Sequence, residues 1–207
     1  MKRRVVAFVM CLVAAASAAA QTPTRKVQLV PADSVASLTW TTLASDPKGD
    51  GLQARLPDAR ELSYAIEANS DRVWFKVAVY EPLPEQWFGI SIAIDSDDVP
   101  DNGMAWWGSN KAKFDRLATA FLFKAEGYWQ GYAGVGDSDS IGRGNMTNVT
   151  ADVKVALDRE HRSILLGIPR AALGPAATIR VLATVGSMLA NNDDIPNEGM
   201  VTVRLKP

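Results

Sequence analysis

In "RVWFKVAVY" the chain alternates with period two, placing Val73, Phe75, Val77 and Val79 on one side and Arg72 and Lys76 on the other. "LSYAIEA" repeats the pattern, with Leu62, Tyr64 and Ile66 opposite Ser63 and Glu67, and "WFGISIAID" gathers Phe88, Ile90, Ile92 and Ile94. Successive side chains of a strand point to opposite faces, so this alternation marks a sheet with one buried face. Further strands are expected at "LATAFLFKA", "YWQGYAG", "VTADVKVAL", "RSILLGIP", "IRVLATVGS" and "MVTVRL". Turn-rich polar text separates them, including "EPLPEQ", "DSDDVPDNG", "GDSDSIGRGN", "DREH" and "NNDDIPNEG". Only "PRAAL" at 169–173, closed by Gly174, hints at a helical turn. Many strands without a βαβ repeat predict an all-β fold, an antiparallel β-sandwich of jelly-roll-like type. Phe75, Val77, Ile90, Ile92, Ile94, Val181 and Ala183 should share its core.

The first residues depart from this pattern. "MKRR" is basic, "VVAFVMCLVAAA" is apolar, and Ala18, Ala19 and Ala20 supply a small-residue cleavage site. That order predicts a signal peptide over residues 1–20, cut before Gln21, and a secreted or periplasmic protein. The apolar run is shorter than the roughly 20 residues a membrane span needs, so no membrane insertion is expected once the signal is removed. Residues 21–37 should form a mobile lead-in carrying one short strand, and residues 38–207 a single domain.

The chain has 22 basic and 23 acidic residues among 207, and its one cysteine, Cys11, lies in the signal. The exported form is therefore mildly acidic and free of disulfides, held by burial alone or by burial with a metal. Nothing resembles the basic stripe that nucleic acid requires. One histidine and no mature cysteine leave zinc without its usual ligands. His161, in "DREHRS", reads as decoration of a charged turn between strands rather than the base of a triad, and no acidic pair stands out as catalytic. A non-enzymatic protein is the expectation.

The phrases "SDPKGDG", "DARELSYAIEANSDRVWFKVAVYE", "IAIDSDDVPDNG", "FDRLATAFLFKAEGYWQGY", "ILLGIPRAALG" and "NNDDIPNEG" follow one another in an order that resembles the family 9 carbohydrate-binding modules and their DOMON-like relatives. The resemblance spans most of residues 38–205. It implies an exported β-sandwich, and often a structural calcium near an Asp-Pro-x-Gly-Asp turn. Asp46, Pro47, Gly49 and Asp50 match that turn. It also implies that "NNDDIPNEG" lies near the early strands, which adds Asp193 and Asp194 as metal ligands. Relatives bind sugars or heme.

Calcium takes six to eight hard oxygens from loops able to bend around it, and Asp46 and Asp50 offer two carboxylates beside a proline and a glycine. "DSDDVPDNG" looks similar but fails the EF-hand template, with Val99 and Trp106 where that loop needs an oxygen donor and a glutamate; a solvated hairpin is expected there. Trp106 and Trp107 in "NGMAWWGSN" are adjacent rings in a loop, suited to stacking on a sugar, with Asn102 and Asn110 placed to meet its hydroxyls. Packing against the end of the sandwich is the competing expectation for the same pair. Trp40, Trp74, Trp87 and Trp129 lie in or beside strands and are expected in the core. The resulting expectation is a non-catalytic carbohydrate-binding module with structural calcium. The alternatives are a heme-binding electron-transfer domain, using Met104, Met146 or Met188, or a structural and interaction domain of the cell envelope.

Overall fold

The computed structural model describes residues 27–68, 70–107, 112–158, 160–187 and 191–205. In chain order the strands are β1 (Gln28–Leu29), β2 (Thr41–Ser45), β3 (Ala59–Glu67), β4 (Arg72–Val79), β5 (Phe88–Asp95), β6 (Met104–Ala105), β7 (Lys113–Phe114), β8 (Arg116–Ala125), β9 (Tyr128–Asp137), β10 (Lys154–Leu157), β11 (Ser163–Pro169), β12 (Thr178–Gly186), β13 (Asn191–Ile195) and β14 (Val201–Arg204). Two six-stranded sheets pack face to face. The first runs β1-β10-β11-β4-β3-β2; the second runs β13-β12-β5-β8-β9, with β14 beside β13 on the same edge of β12. All pairings are antiparallel except β1 with β10. The antiparallel β-sandwich is as expected.

Alternation decides which side chains meet between the sheets. Val73, Phe75, Val77 and Val79 of β4 face Ile90, Ile92 and Ile94 of β5 and Val181 and Ala183 of β12 in one buried cluster. All seven residues expected in the core belong to it. Each outer face also carries a cover. On the first sheet, Trp74, Ala156 and Leu165 are sealed by Val30, Val35 and Leu38. The described part of the lead-in is thus docked against the sheet, with β1 paired to β10. On the second sheet, Ala93, Leu117 and Leu182 pack under Trp106, Phe114 and Ile141. The loop after β5 folds back to place this cover, pinned by the β6–β7 hairpin and by Trp106 N donating to Ala112 O at 2.9 Å.

Three local expectations change. "NNDDI", expected as a turn, is strand β13. "SDSI" forms one helical turn, α1 (Ser138–Ile141), because the Asp137 side chain accepts from Ser140 N at 2.7 Å as an N-cap. "VTAD", expected to open a strand, lies outside β10 and contributes only a bridge from Thr150 to Val135. The turn expected at 169–173 is a 3₁₀ turn over Arg170–Leu173, closed by Gly174 at φ 104°.

Candidate functional site

One of two gatherings of acidic side chains among the described residues lies where the loop after β2 meets β13 at an edge of the sandwich. Asp46 follows β2, Asp50 sits in the next loop, and Asp193 is on β13 of the opposite sheet; ligand atoms of all three lie within 4.8 Å of one another. The loop is held to β13 by Asn192. Its Oδ1 accepts from Gln53 N at 2.6 Å, its carbonyl accepts from Leu52 N at 2.9 Å, and its Nδ2 donates to Pro57 O at 2.9 Å. This approach is why residue 51 is glycine: a Cβ there would lie 2.7 Å from Asn192 Nδ2. Asp193 Oδ2 accepts from Ala59 N at 2.6 Å and so ties the two sheets together. Tyr80 donates its hydroxyl to Asp46 O at 2.7 Å.

The cluster is not compensated from within. Asp46 is 6% exposed and its Oδ2 has no hydrogen-bond partner; neither has the buried Oδ1 of neighbouring Asp58, whose Oδ2 accepts from Gly49 N. Asn197 Nδ2 donates to Asp46 Oδ1 at 3.0 Å and Asp50 Oδ2 at 2.9 Å. Burial, reinforced by Asp50 and Asp58, pushes the Asp46 carboxyl up to about 7. Asp193 is also pushed up to about 7, chiefly by burial, against the lowering effect of the Ala59 N–H. A buried carboxylate oxygen without a donor is costly. Converging carboxylate oxygens, one of them the donor-free Asp46 Oδ2, are the kind of ligand a hard divalent cation such as calcium takes, and these residues could hold one.

Asp194 does not join them. Next to Asp193 on a strand, it points to the opposite face, where its Oδ2 accepts from Trp106 Nε1 at 2.8 Å. Of the four aspartates expected as ligands, the structure brings Asp46, Asp50 and Asp193 together, with Asp58 nearby, and places Asp194 on the other face. Nothing in the local pattern marks Asp58, since "PDAR" reads as the entry to a strand.

The paired tryptophans part company. Trp106 is 4% exposed, an edge-on neighbour of Phe114 at 5.9 Å, and is a plug rather than a platform. Trp107 is 51% exposed, with its ring 5.0 Å from Trp106 and 5.6 Å from Phe114. Asn102 is exposed, but its Nδ2 donates to Asp97 at 2.8 Å, which directs it toward its own loop. Asn110 lies outside the described residues. Of the other tryptophans, Trp74 is buried, though beneath the outer cover of the first sheet, and Trp129 packs on the main core. Trp40 is half-buried beside Trp74 with Lys76 Nζ 4.9 Å from its ring centroid. Trp87, expected in the core, is 43% exposed.

Trp87 instead belongs to an aromatic strip on the outer face of the second sheet. It stacks on Phe123 at 4.0 Å, and Phe121 meets Tyr132 at 5.1 Å. The strip was implicit in "LATAFLFKA": with Ala118, Ala120 and Leu122 turned inward, Phe121 and Phe123 must face out. Phe121 brings one ring edge against the backbone of Gly89, where a Cβ would come 2.4 Å from its Cδ1 and Cε1. Gln130, opposite Phe123, contributes an amide to the same face.

A second acidic group, Asp95, Asp97 and Asp115, is differently built. Asp95 is 1% exposed, which corrects the expectation of a wholly solvated loop. Arg180 pairs with its Oδ2, and Val99 N donates to its Oδ1 at 3.2 Å. Asp115 Oδ2 accepts from Ser96 N and Oγ. The heme alternative has Met104 and Met146 half-buried against the outer cluster, while Met188 lies outside the described residues. His161 stands in a turn at φ 52°, edge-on to Trp129 at 5.8 Å. Among the described residues no helix is long and apolar enough to cross a membrane.

What fold and site define is a class: an all-β sandwich with an uncompensated acidic cluster at one edge and aromatic rings on one outer face. No family model, curated protein or solved structure matches the chain.

Proposed function

We propose that the protein is an exported, non-catalytic binding module for carbohydrate, its sandwich closed at one edge by calcium. The aromatic strip Trp87–Phe123 and Phe121–Tyr132 carries the carbohydrate reading. The C–H face of a pyranose packs on aromatic rings such as the exposed Trp87 beside half-buried Phe123, Phe121 and Tyr132, and Gln130 adds a polar group to the same face. Trp107 gives a further accessible ring. The resemblance to family 9 modules and the export signal point the same way. Calcium would be held by Asp46, Asp50 and Asp193, joining the two sheets, and it supplies charge balance rather than chemistry.

The test is affinity electrophoresis of the full chain through a panel of soluble β-glucans, xylan, mannan and α-glucans. Retardation by one of them is expected. Trp87→Ala should then weaken binding by about 2 kcal/mol, roughly thirtyfold, as loss of a central aromatic contact does. Its midpoint should fall by much less than removal of a buried tryptophan costs, because the ring is already 43% exposed. Failure of the wild type to bind any polysaccharide would remove the carbohydrate reading.

A further inference from the structure

We infer that β13 is a mechanical link through which cation occupancy fixes the aromatic cover of the second sheet; the inference rests on the calcium reading above. Adjacent residues of this strand serve two sites. Asp193 faces the acidic cluster, and Asp194 faces out and accepts the Trp106 indole N–H. Trp106 in turn supports Trp107 and Phe114. As a strand β13 is paired on one side alone: it is an edge strand, bonded to β12, with a register shift between Val185 and Gly186. Its restraints beyond that pairing are Ile195 at its C-terminal end, buried in the main core, Asn192 on the 51–57 loop and Asp193 on Ala59 N, so the segment free to shift is the one that carries Asp193 and Asp194.

Two observations show that β13 is loaded from both faces. On one side the unpartnered Asp46 Oδ2 stands among like charges that a cation would draw together. On the other, Asp194 holds Trp106 with Oδ2 alone, while its buried Oδ1 has no partner. Without the cation, repulsion among Asp46, Asp50, Asp58 and Asp193 pushes the strand away from the loop, and the same displacement carries Asp194 off the indole. With it, Asp193 is fixed, and period two fixes Asp194 with it. The cation site thereby sets the packing of an aromatic surface on the opposite side of the strand.

The experiment is a calcium titration of chelator-treated full chain with two readouts, the thermal midpoint and acrylamide quenching of indole emission. In the wild type, calcium should raise the midpoint, reduce quenching and shift emission to the blue. Asp194→Ala should keep the rise in midpoint and lose the optical response. Asp194→Asn, which retains an acceptor for the indole, should restore it. Trp106→Phe, which removes the donor and keeps a ring, should also lose the response and serves if Asp194→Ala does not fold. A wild type whose midpoint rises with no optical change overturns the link and leaves the calcium reading intact. So does an Asp194→Ala protein that responds optically like the wild type. A wild type with neither response overturns the calcium reading, and the link with it.

Discussion

Two acidic triads of equal size stand out among the described residues, and the protein answers their charge differently. Around Asp95, the charge is answered locally: Arg180 reaches it with two nitrogens, and backbone N–H groups of Ser96 and Val99 point at the carboxylates. Around Asp46, the donors are the Asn197 amide and the backbone N–H groups of Gly49 and Ala59; among the described residues no arginine or lysine pairs with these carboxylates, and oxygens of Asp46 and Asp58 remain without donors. The carboxyls of Asp46 and Asp193 respond by holding protons to about 7. Counting aspartates in sequence therefore ranks the two loops wrongly: "DSDDVPDNG" is richer in acid than "SDPKGDG", yet it is the self-sufficient one. What makes a cation site is charge left over after the protein's own donors are assigned.

The strongest way to break this comparison is to unbalance the satisfied triad. Arg180→Met should cost about 3–5 kcal/mol in a urea series, because it strands a buried Asp95 charge. A loss under about 1 kcal/mol would mean that Asp95 is compensated by something other than Arg180.

Calcium should separate the triads next. At a hundred times Kd, a ligand of the native state adds about 2.7 kcal/mol, read as a rise in midpoint after chelator treatment. Asp46→Ala and Asp50→Ala should each abolish that rise while folding. If both keep the full rise, the cation binds elsewhere.

A pH series without calcium sharpens the contrast. The folded-state carboxyls of Asp46 and Asp193 lie above their unfolded value of 3.8, at about 7. Their contribution to stability is complete below pH 3.8 and is lost as pH rises toward 7, since the unfolded chain releases those protons first. The cation-free protein should thus lose midpoint across pH 4 to 7, and saturating calcium should suppress the loss. A midpoint that climbs through this window in the Asp46→Asn protein and the wild type alike would refute the assignment.

The smallest effect is expected at Asp97, an exposed member of the satisfied triad. Asp97→Ala should leave stability within about 0.5 kcal/mol of wild type and leave the calcium response untouched; loss of that response would show that the triads share one cation.

The sequence by itself determined the architecture. Period-two alternation is produced by one-sided burial and is written locally, so the sandwich, its seven expected core residues and the outward turn of Phe121 and Phe123 all follow from adjacent letters. The Asp46–Asp50 turn was legible for the same reason, as a short arrangement with its own backbone chemistry. Only the tertiary structure decided β13. "NNDDI" carries polar groups on both faces because one meets a carboxylate cluster and the other an indole, so the hydrophobic contrast that announces a strand is missing. It likewise decided that Trp106 is sealed and Trp107 open, and that Asp95 finds Arg180 across a separation of 85 residues. Partners brought together by strand pairing leave no mark in the neighbouring sequence, and the balance of buried charge exists only once they have met.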